Sequence, residues 1–455
     1  MSLPSFLVKV LPEWKNSLLA IVSAILLVLA FPDFEWWFLA WIALVPLFCA
    51  IEREKDRPAR GLFLGWIWGA VFFFGTCWWL TFAPITYAGF PWPLAYLLML
   101  LVAGIVAIFP GLFGLILAVL INRFGRIAIL SAPFVWVFTE FLRYWITGNN
   151  WNAIGYSHAF GVFFLETAGL AGALGISFIC VLISTCYTFF FIGMKRMASW
   201  LAIVPLLLIL IDQTAEIFSW DHSEPRSDSG VKVVAIQPNV PMSGLTYEKW
   251  KTLRQKHVQL AESAINDQRS TINDQPTTVI FPESPMNFAY DEDAEFRSFL
   301  SAFAAKNNVN VLFNSAEPNQ KDGKYFNSAV LVDTHGQELA QYDKIYLLPF
   351  GESVPRPLQS IVPAFVGSFS YGTEYDLLPL GDAKAGVMIC FESHFGELSR
   401  EYVRNGADVL IEMTNDGYLG PTPVLRQHLA NAVFRAVETN RPVLRVTNVG
   451  ITAFI

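Results

Sequence analysis

The chain has 455 residues, of which 54% are apolar and only 15% are charged, and its net charge is −7. So little charge, with 15% aromatic residues, excludes a disordered chain, a collagen-like repeat and a small disulfide scaffold, and points to a membrane protein. The mild acidity offers nucleic acid no basic surface.

The apolar excess lies before about residue 213. Serial runs near or above about 18 residues favour membrane spans over buried core helices. About seven spans are expected, near 16–32, 35–51, 61–83, 92–121, 127–147, 162–193 and 197–213. The fourth and sixth are long enough to tilt or kink, with Pro110-Gly111 as the expected kink in the fourth. Lys9, Lys15, Arg53, Lys55, Arg57, Arg60, Arg123, Arg126, Lys195 and Arg196 all flank spans on one side, and the turns near 33–35 and 84–91 carry no Lys or Arg. By the positive-inside rule that side is the cytoplasm. Residues 214–455 then lie outside, which in a bacterium is the periplasm. The first apolar run lacks a small-residue cleavage site, so it reads as a span rather than a signal peptide.

Residues 221–230 are a polar linker by composition. The expected organisation is a membrane bundle over 1–213, a linker over 214–230 and an exported domain over 231–455. Strand signals follow at 231–236, 277–281, 309–313, 385–390, 409–413 and 443–447. Residues 328–333 and 337–342 read as a hairpin around Thr334-His335-Gly336. Helical spacing covers 247–269, 293–306, 395–405 and 424–439. This alternation implies an α/β sheet with helices packed on it.

Chemistry in such sheets gathers beyond the strand ends. Glu283 follows one strand, Lys344 follows another, and Cys390 ends a third. A thiolate can attack an acyl carbonyl after a carboxylate takes its proton. A neighbouring ammonium lowers the thiol pKa, and with a backbone N–H it stabilises a tetrahedral oxyanion. Each residue alone also reads as a solvated charge or a core cysteine, and spacing does not bring the three together. Cys49, Cys77, Cys180 and Cys186 lie in apolar runs, where cysteine is a small hydrophobe. Cys390 is the exported domain's only cysteine, in a compartment where thiols are usually oxidised. The six histidines are too scattered for a metal cluster, and no cysteine spacing suggests zinc.

The segment 342–355, Tyr-Asp-Lys-Ile-Tyr-Leu-Leu-Pro-Phe-Gly-Glu-Ser-Val-Pro, resembles the lysine segment of the nitrilase, or carbon-nitrogen hydrolase, superfamily. Its Leu-Pro-Phe-Gly-Glu run resembles the bacterial apolipoprotein N-acyltransferases in particular. Residues 386–393, 427–430 and 435–453 resemble that family's cysteine and C-terminal segments, and Trp151 with Gly155-Tyr156-Ser157 resembles one of its membrane segments. The resemblance implies a multi-span α-helical membrane bundle carrying an α/β nitrilase-like αββα sandwich domain. It maps a catalytic Glu, Lys and Cys onto Glu283, Lys344 and Cys390, and supporting carboxylates onto Glu352 and Glu392. A family Tyr is Phe391 here. The chain also departs from the family pattern at Asn149-Asn150, His158, Thr246-Tyr247 and Tyr418-Leu419-Gly420. Family members continue past the position of Ile455 with closing strands and a final span, so the catalytic domain is expected to lack that end.

The implied reaction moves an acyl chain from a phospholipid through a Cys390 thioester to the N-terminal amine of a diacylglyceryl-cysteine apolipoprotein, with no cofactor. A membrane-tethered amidase would use the same triad, and an inactive membrane scaffold would not need it. The apolar stretch 358–372, with Phe365 and Phe369, either guides an acyl chain at the interface or packs on its own domain. Trp151 and Tyr247 either line the substrate entrance or anchor the interface. Glu140 and Arg143 either pair with each other or leave Arg143 to meet phosphate.

Overall fold

The computed structural model describes residues 10–161, 163–204, 206–207, 231–243, 246–268, 277–283, 289–349, 351–354 and 369–455. The chain forms two compact units, one of 1–222 with 419–438 and one of 223–418 with 439–455. The expected division at 214–230 therefore differs in one stretch. The helix Val424–Thr439 falls within the expected exported domain, yet all but its last residue belong with the apolar helices.

In the first unit, four stretches among the described residues are long and apolar enough to cross a membrane: Pro58–Thr86, Trp92–Phe124, Arg126–Thr147 and Ala168–Phe191. The helix Trp14–Val28 is apolar but shorter. The expected span at 35–51 is instead a short 3-10 turn, Trp37–Trp41, followed by the nine-residue helix Val45–Arg53. Residues 208–213 of the expected last span lie outside the described residues.

Proline and glycine set the helix ends. Pro58 and Pro133 stand in first turns, where a missing N–H costs nothing. Gly148, left-handed at φ 67°, closes the helix Ala132–Thr147 with its N–H on the Tyr144 carbonyl. A break in the helix falls at Ala107, between Trp92–Val106 and Ile108–Phe124, rather than at the expected Pro110-Gly111. Pro110 has no N–H for the carbonyl four residues earlier, so the ladder breaks upstream of the proline.

The helices Pro58–Cys77 and Ile108–Phe124 approach through small residues. A Cβ on Gly65 would lie 2.0 Å from the Pro110 carbonyl oxygen, and one on Gly114 would lie 2.1 Å from that of Gly61. Such contacts exploit backbone proximity where lipid supplies no hydrophobic drive between helices. Trp68 stacks on Phe72 at 5.0 Å and meets Trp136 edge-on at 5.1 Å, filling the adjacent core. Leu97, Leu101, Ile105, Phe134 and Phe138 face outward, where a bilayer would cover them.

The segment 419–438 is tied into this unit by polar contacts. Arg426 forms a two-pronged ion pair with Glu35 at 2.7 and 2.9 Å. Gln427 accepts the indole N–H of Trp79 at 3.1 Å and of Trp151 at 3.0 Å, and donates to the Thr76 carbonyl at 2.9 Å. Val424, Ala430 and Phe434 join the core.

The second unit contains two mixed sheets. The first runs β1 (Val233–Ala235), β2 (Thr277–Ile280), β3 (Val309–Asn319), β4 (Lys324–Val332) and β5 (Glu338–Asp343), with β6 (Phe369–Ser370) beside the start of β4. β1, β2 and β3 are parallel, while β3–β4 and β4–β5 are antiparallel. The second runs β11 (Ala453–Phe454), β10 (Val443–Thr447), β9 (Val409–Thr414), β8 (Ala383–Ile389) and β7 (Leu377–Leu380). Here β8, β9 and β10 are parallel. β4 contacts β8 and β5 contacts β7, so the sheets lie against each other.

Helices Tyr247–Gln268 and Ala294–Asn307 pack on the first sheet, burying Ala261, Phe296, Leu300 and Phe303 over Val279 and Val311. Asp293 caps the second of these through the Phe296 N–H at 2.9 Å. The helix Gly396–Arg404 packs on the second sheet, where the Tyr402 hydroxyl donates to the Val387 carbonyl at 2.6 Å. The hairpin turns at Thr334-His335-Gly336 as expected, but β3 and β4 are longer than predicted.

The glycine contacts carry a prediction. Gly65→Val should destabilise the detergent-solubilised protein by about 1–3 kcal/mol through overpacking. Gly104→Ala, whose Cβ would meet only the Trp66 ring at 3.4 Å, should melt close to the parent. Equal melting temperatures for Gly65→Val and parent would refute the close approach.

Candidate active site

Three expected residues converge in the second unit. Lys344 follows β5 directly, its N–H on the Asn327 carbonyl of β4 at 2.9 Å. Gly372 donates to the Lys344 carbonyl at 2.8 Å, and a Cβ there would sit 2.0 Å from the Asp343 carbonyl oxygen. Only glycine permits this approach. The Lys344 side chain is 1% exposed, with Nζ 2.9 Å from Glu352 and 3.8 Å from Glu283 Oε1.

Glu283 leaves β2 through Pro282, and its carboxylate is hydrogen-bonded to the Cys390 thiol. Cys390 follows β8 at φ 53°, opening the 3-10 turn Cys390–His394. A non-glycine residue in the left-handed region is strained, and such strain gathers at functional sites. Ile389 and Met413 are partners across β8 and β9, so Cys390 continues that register beside Thr414. The Thr414 hydroxyl is hydrogen-bonded to the thiol.

Glu392 is fully buried in the same turn. Its Oε1 accepts the Tyr342 hydroxyl at 2.7 Å and the N–H groups of Ile345 and Tyr346 at 2.7 and 3.0 Å, and its Oε2 accepts the Ile389 N–H at 2.8 Å. It therefore ties the cysteine turn to the lysine segment. Glu352 accepts the Leu348 N–H at 2.7 Å besides pairing with Lys344. The Phe391 ring meets Phe395 edge-on at 5.3 Å and lies 4.9 Å from His394.

The electrostatics follow from burial and charge. Burial alone would lower the Lys344 pKa, but Glu352 and then Glu283 outweigh it and hold the ammonium charged. Burial pushes the Cys390 thiol well up, Glu283 adds to this and Lys344 opposes it. Burial also raises Glu283 against the pull of Lys344. Burial pushes Glu392 up to about 7 despite Lys344. The arrangement brings together a thiol, a carboxylate whose pKa burial raises and a fixed cation, the set that nucleophilic acyl chemistry uses.

Asn327 was not foreseen. Its Nδ2 donates to Glu283 Oε1 at 3.1 Å and Glu352 Oε1 at 2.6 Å, while its Oδ1 accepts from Asn314 at 2.7 Å. It sets the spacing of the two carboxylates around Lys344. Two buried polar residues together in an otherwise apolar strand, Asn327 and Ser328, were the available signal.

The remaining candidates belong to the first unit, to β6 or to residues or side chains outside those described. Phe365 lies outside the described residues, and the Tyr247 side chain is likewise not described. Phe369 lies on β6, opposite Tyr325. Trp151, in the first unit, is held by Gln427 and lies 5.4 Å from the Trp79 ring. Arg143 donates to the Trp151 carbonyl at 2.8 Å and Asn150 Oδ1 at 3.0 Å, and Glu140 accepts the Ile154 N–H at 3.0 Å. Glu140 and Arg143 thus both bond the 150–154 loop. No group of three metal-ligating side chains occurs among the described residues.

The family model described as "Apolipoprotein N-acyltransferase N-terminal domain" matches residues 23–186, and "Carbon-nitrogen hydrolase" matches 232–455. The chain is 30% identical over 456 residues to an apolipoprotein N-acyltransferase of Geobacter metallireducens, covering 97% of this chain and 85% of that one. It is 32% identical over 476 residues to one of Allorhizobium ampelinum, covering 98% and 87%. Among solved structures, Saccharomyces cerevisiae Nit3, a member of branch 10 of the nitrilase superfamily, is 21% identical with a TM-score of 0.36, covering 48% of this chain and 75% of that one.

Glu392 yields a pH prediction. Its pKa is raised in the fold, so it binds a proton more readily folded than unfolded. Its contribution to stability is full below the ordinary value of 4.5 and is lost as pH rises to about 7. Glu392→Gln cannot titrate. The parent's melting temperature should therefore fall relative to that of Glu392→Gln across this window, and parallel curves would contradict the assignment.

Proposed function

Because the chain belongs to the apolipoprotein N-acyltransferase family, we propose that it acylates the N-terminal amine of diacylglyceryl-cysteine apolipoproteins, drawing the acyl chain from a phospholipid. The observation that carries the reading is the buried Lys344, held between Glu283 and Glu352 with Glu283 hydrogen-bonded to Cys390.

The reaction has two halves. Glu283 takes the Cys390 proton as Sγ attacks the ester carbonyl. Lys344 and a backbone N–H stabilise the oxyanion. Collapse expels the lysophospholipid alkoxide, which takes the proton from Glu283, and leaves a thioester. The lipoprotein amine then attacks the thioester carbonyl and gives its proton to Glu283. Collapse expels the thiolate, which recovers that proton. The product is an amide, and the enzyme returns to its starting state.

Both substrates carry acyl chains that a bilayer holds, which supports an active site fused to apolar helices. The one-sided Lys and Arg clusters support an inner-membrane location with the catalytic domain in the periplasm. The thiol, held protonated at rest, is protected from oxidation until substrate arrives.

Intact-protein mass spectrometry after incubation with phospholipid in detergent tests the reading. An acyl mass should appear on the parent, be absent from Cys390→Ala, and be discharged as an amide by a diacylated lipopeptide. No adduct on folded protein, or discharge to water alone at the same rate with and without lipopeptide, would refute acyl transfer.

A further inference from the structure

Next to the cysteine turn lies an ion cluster that the proposed steps do not use. Arg445 of β10 stands opposite Glu412 of β9, with Nη1 2.5 Å from Glu412 Oε1 and Nη2 2.7 Å from Asp416 Oδ2. Arg445 and Glu412 are 0% exposed and Asp416 is 2% exposed. The Arg445 Nε donates to the Ile451 carbonyl at 3.2 Å. Asp416 Oδ1 accepts the Thr414 hydroxyl at 3.4 Å, and the Asp416 N–H bonds the Val449 carbonyl at 3.0 Å. A Cβ on Gly450 would lie 2.5 Å from Asp416 Oδ2, so the carboxylate is enclosed on that side too.

Stability alone is a poor reason for such a cluster, since apolar residues of similar volume often serve as well or better. Its position supplies another. Glu412 also pairs across to Met388 on β8, two residues before Cys390. Thr414 lies between the cluster and the thiol. We infer that Arg445 is a positioning residue for the nucleophile: by clamping Glu412 and Asp416 it fixes the end of β9, and with it the Thr414 hydroxyl on Cys390 Sγ. The inference rests on the reading of Cys390 as the nucleophile.

The cluster also acts through charge. The groups facing the thiol are Glu283 after β2, Lys344 after β5, Thr414 at the end of β9 and Asp416 just beyond it, with Glu392 in its own turn and Glu352 behind Lys344. Arg445 cancels one of the two negative charges that Glu412 and Asp416 bring. Its removal leaves an extra anion beside the thiol, and neutralising Asp416 removes one. The two changes must act oppositely on Cys390, which a purely structural role would not produce.

The test is the iodoacetamide alkylation rate of Cys390 against pH in the full chain in detergent, read at the Cys390 peptide by mass spectrometry. Asp416→Asn should move the midpoint down and Arg445→Met should move it up, each by about half a pH unit or more. Arg445→Lys should return it toward the parent. Asp416→Asn keeps the side-chain shape, so it serves where Arg445→Met fails to fold. In acyl transfer, Arg445→Met should lower kcat with little change in KM for lipopeptide. Midpoints unmoved in the folded variants, with Cys390 still acylated by phospholipid, would overturn the inference alone. A parent whose Cys390 takes up no acyl group would overturn the nucleophile reading and this inference together.

Discussion

The candidate site depends on one buried cation. Lys344 is 1% exposed and would be costly to hold there without compensation. Glu352 at 2.9 Å and Glu283 at 3.8 Å supply it, and Asn327 bridges the two carboxylates. That requirement brings the ends of β2, β4 and β5 to one point. Glu392 then links the lysine segment to the cysteine turn through four donors. The thiol, the base and the ammonium are therefore held by backbone that is itself tied down, and preorganisation of this kind is what oxyanion stabilisation needs.

Much of this was legible in the sequence because it is local. Short continuous apolar runs located β2, β8, β9 and β10, and helical spacing located 293–306 and 424–439. Glu283, Lys344 and Cys390 stood out because each follows a strand. What was not legible depends on pairing between distant segments. Asn327 and Arg445 look like ordinary strand residues until β4 is laid beside β5, or β10 beside β9. The amphipathic pattern of 424–439 says that one face is buried but not which neighbour buries it, and most of this helix belongs with the apolar unit. The helix break at Ala107 fell upstream of Pro110 because the lost hydrogen bond belongs to an earlier carbonyl.

The two units solve different physical problems. In the first, glycine and alanine faces allow close helix packing where hydrophobic drive is weak, while outward leucines and phenylalanines suit a bilayer. In the second, apolar sheets bury polar and charged groups, among them Lys344, Glu392 and Arg445. The thiol sits where burial and a neighbouring carboxylate raise its pKa and Lys344 opposes them.

The most direct measurement of the central constraint is a double-mutant cycle on Lys344 and Glu352, read as unfolding stability in detergent. Lys344→Met alone leaves carboxylates buried without their cation and should cost about 3–5 kcal/mol, whereas Lys344→Met with Glu352→Gln should recover much of that loss. Losses that simply add would contradict a site organised around a compensated buried cation.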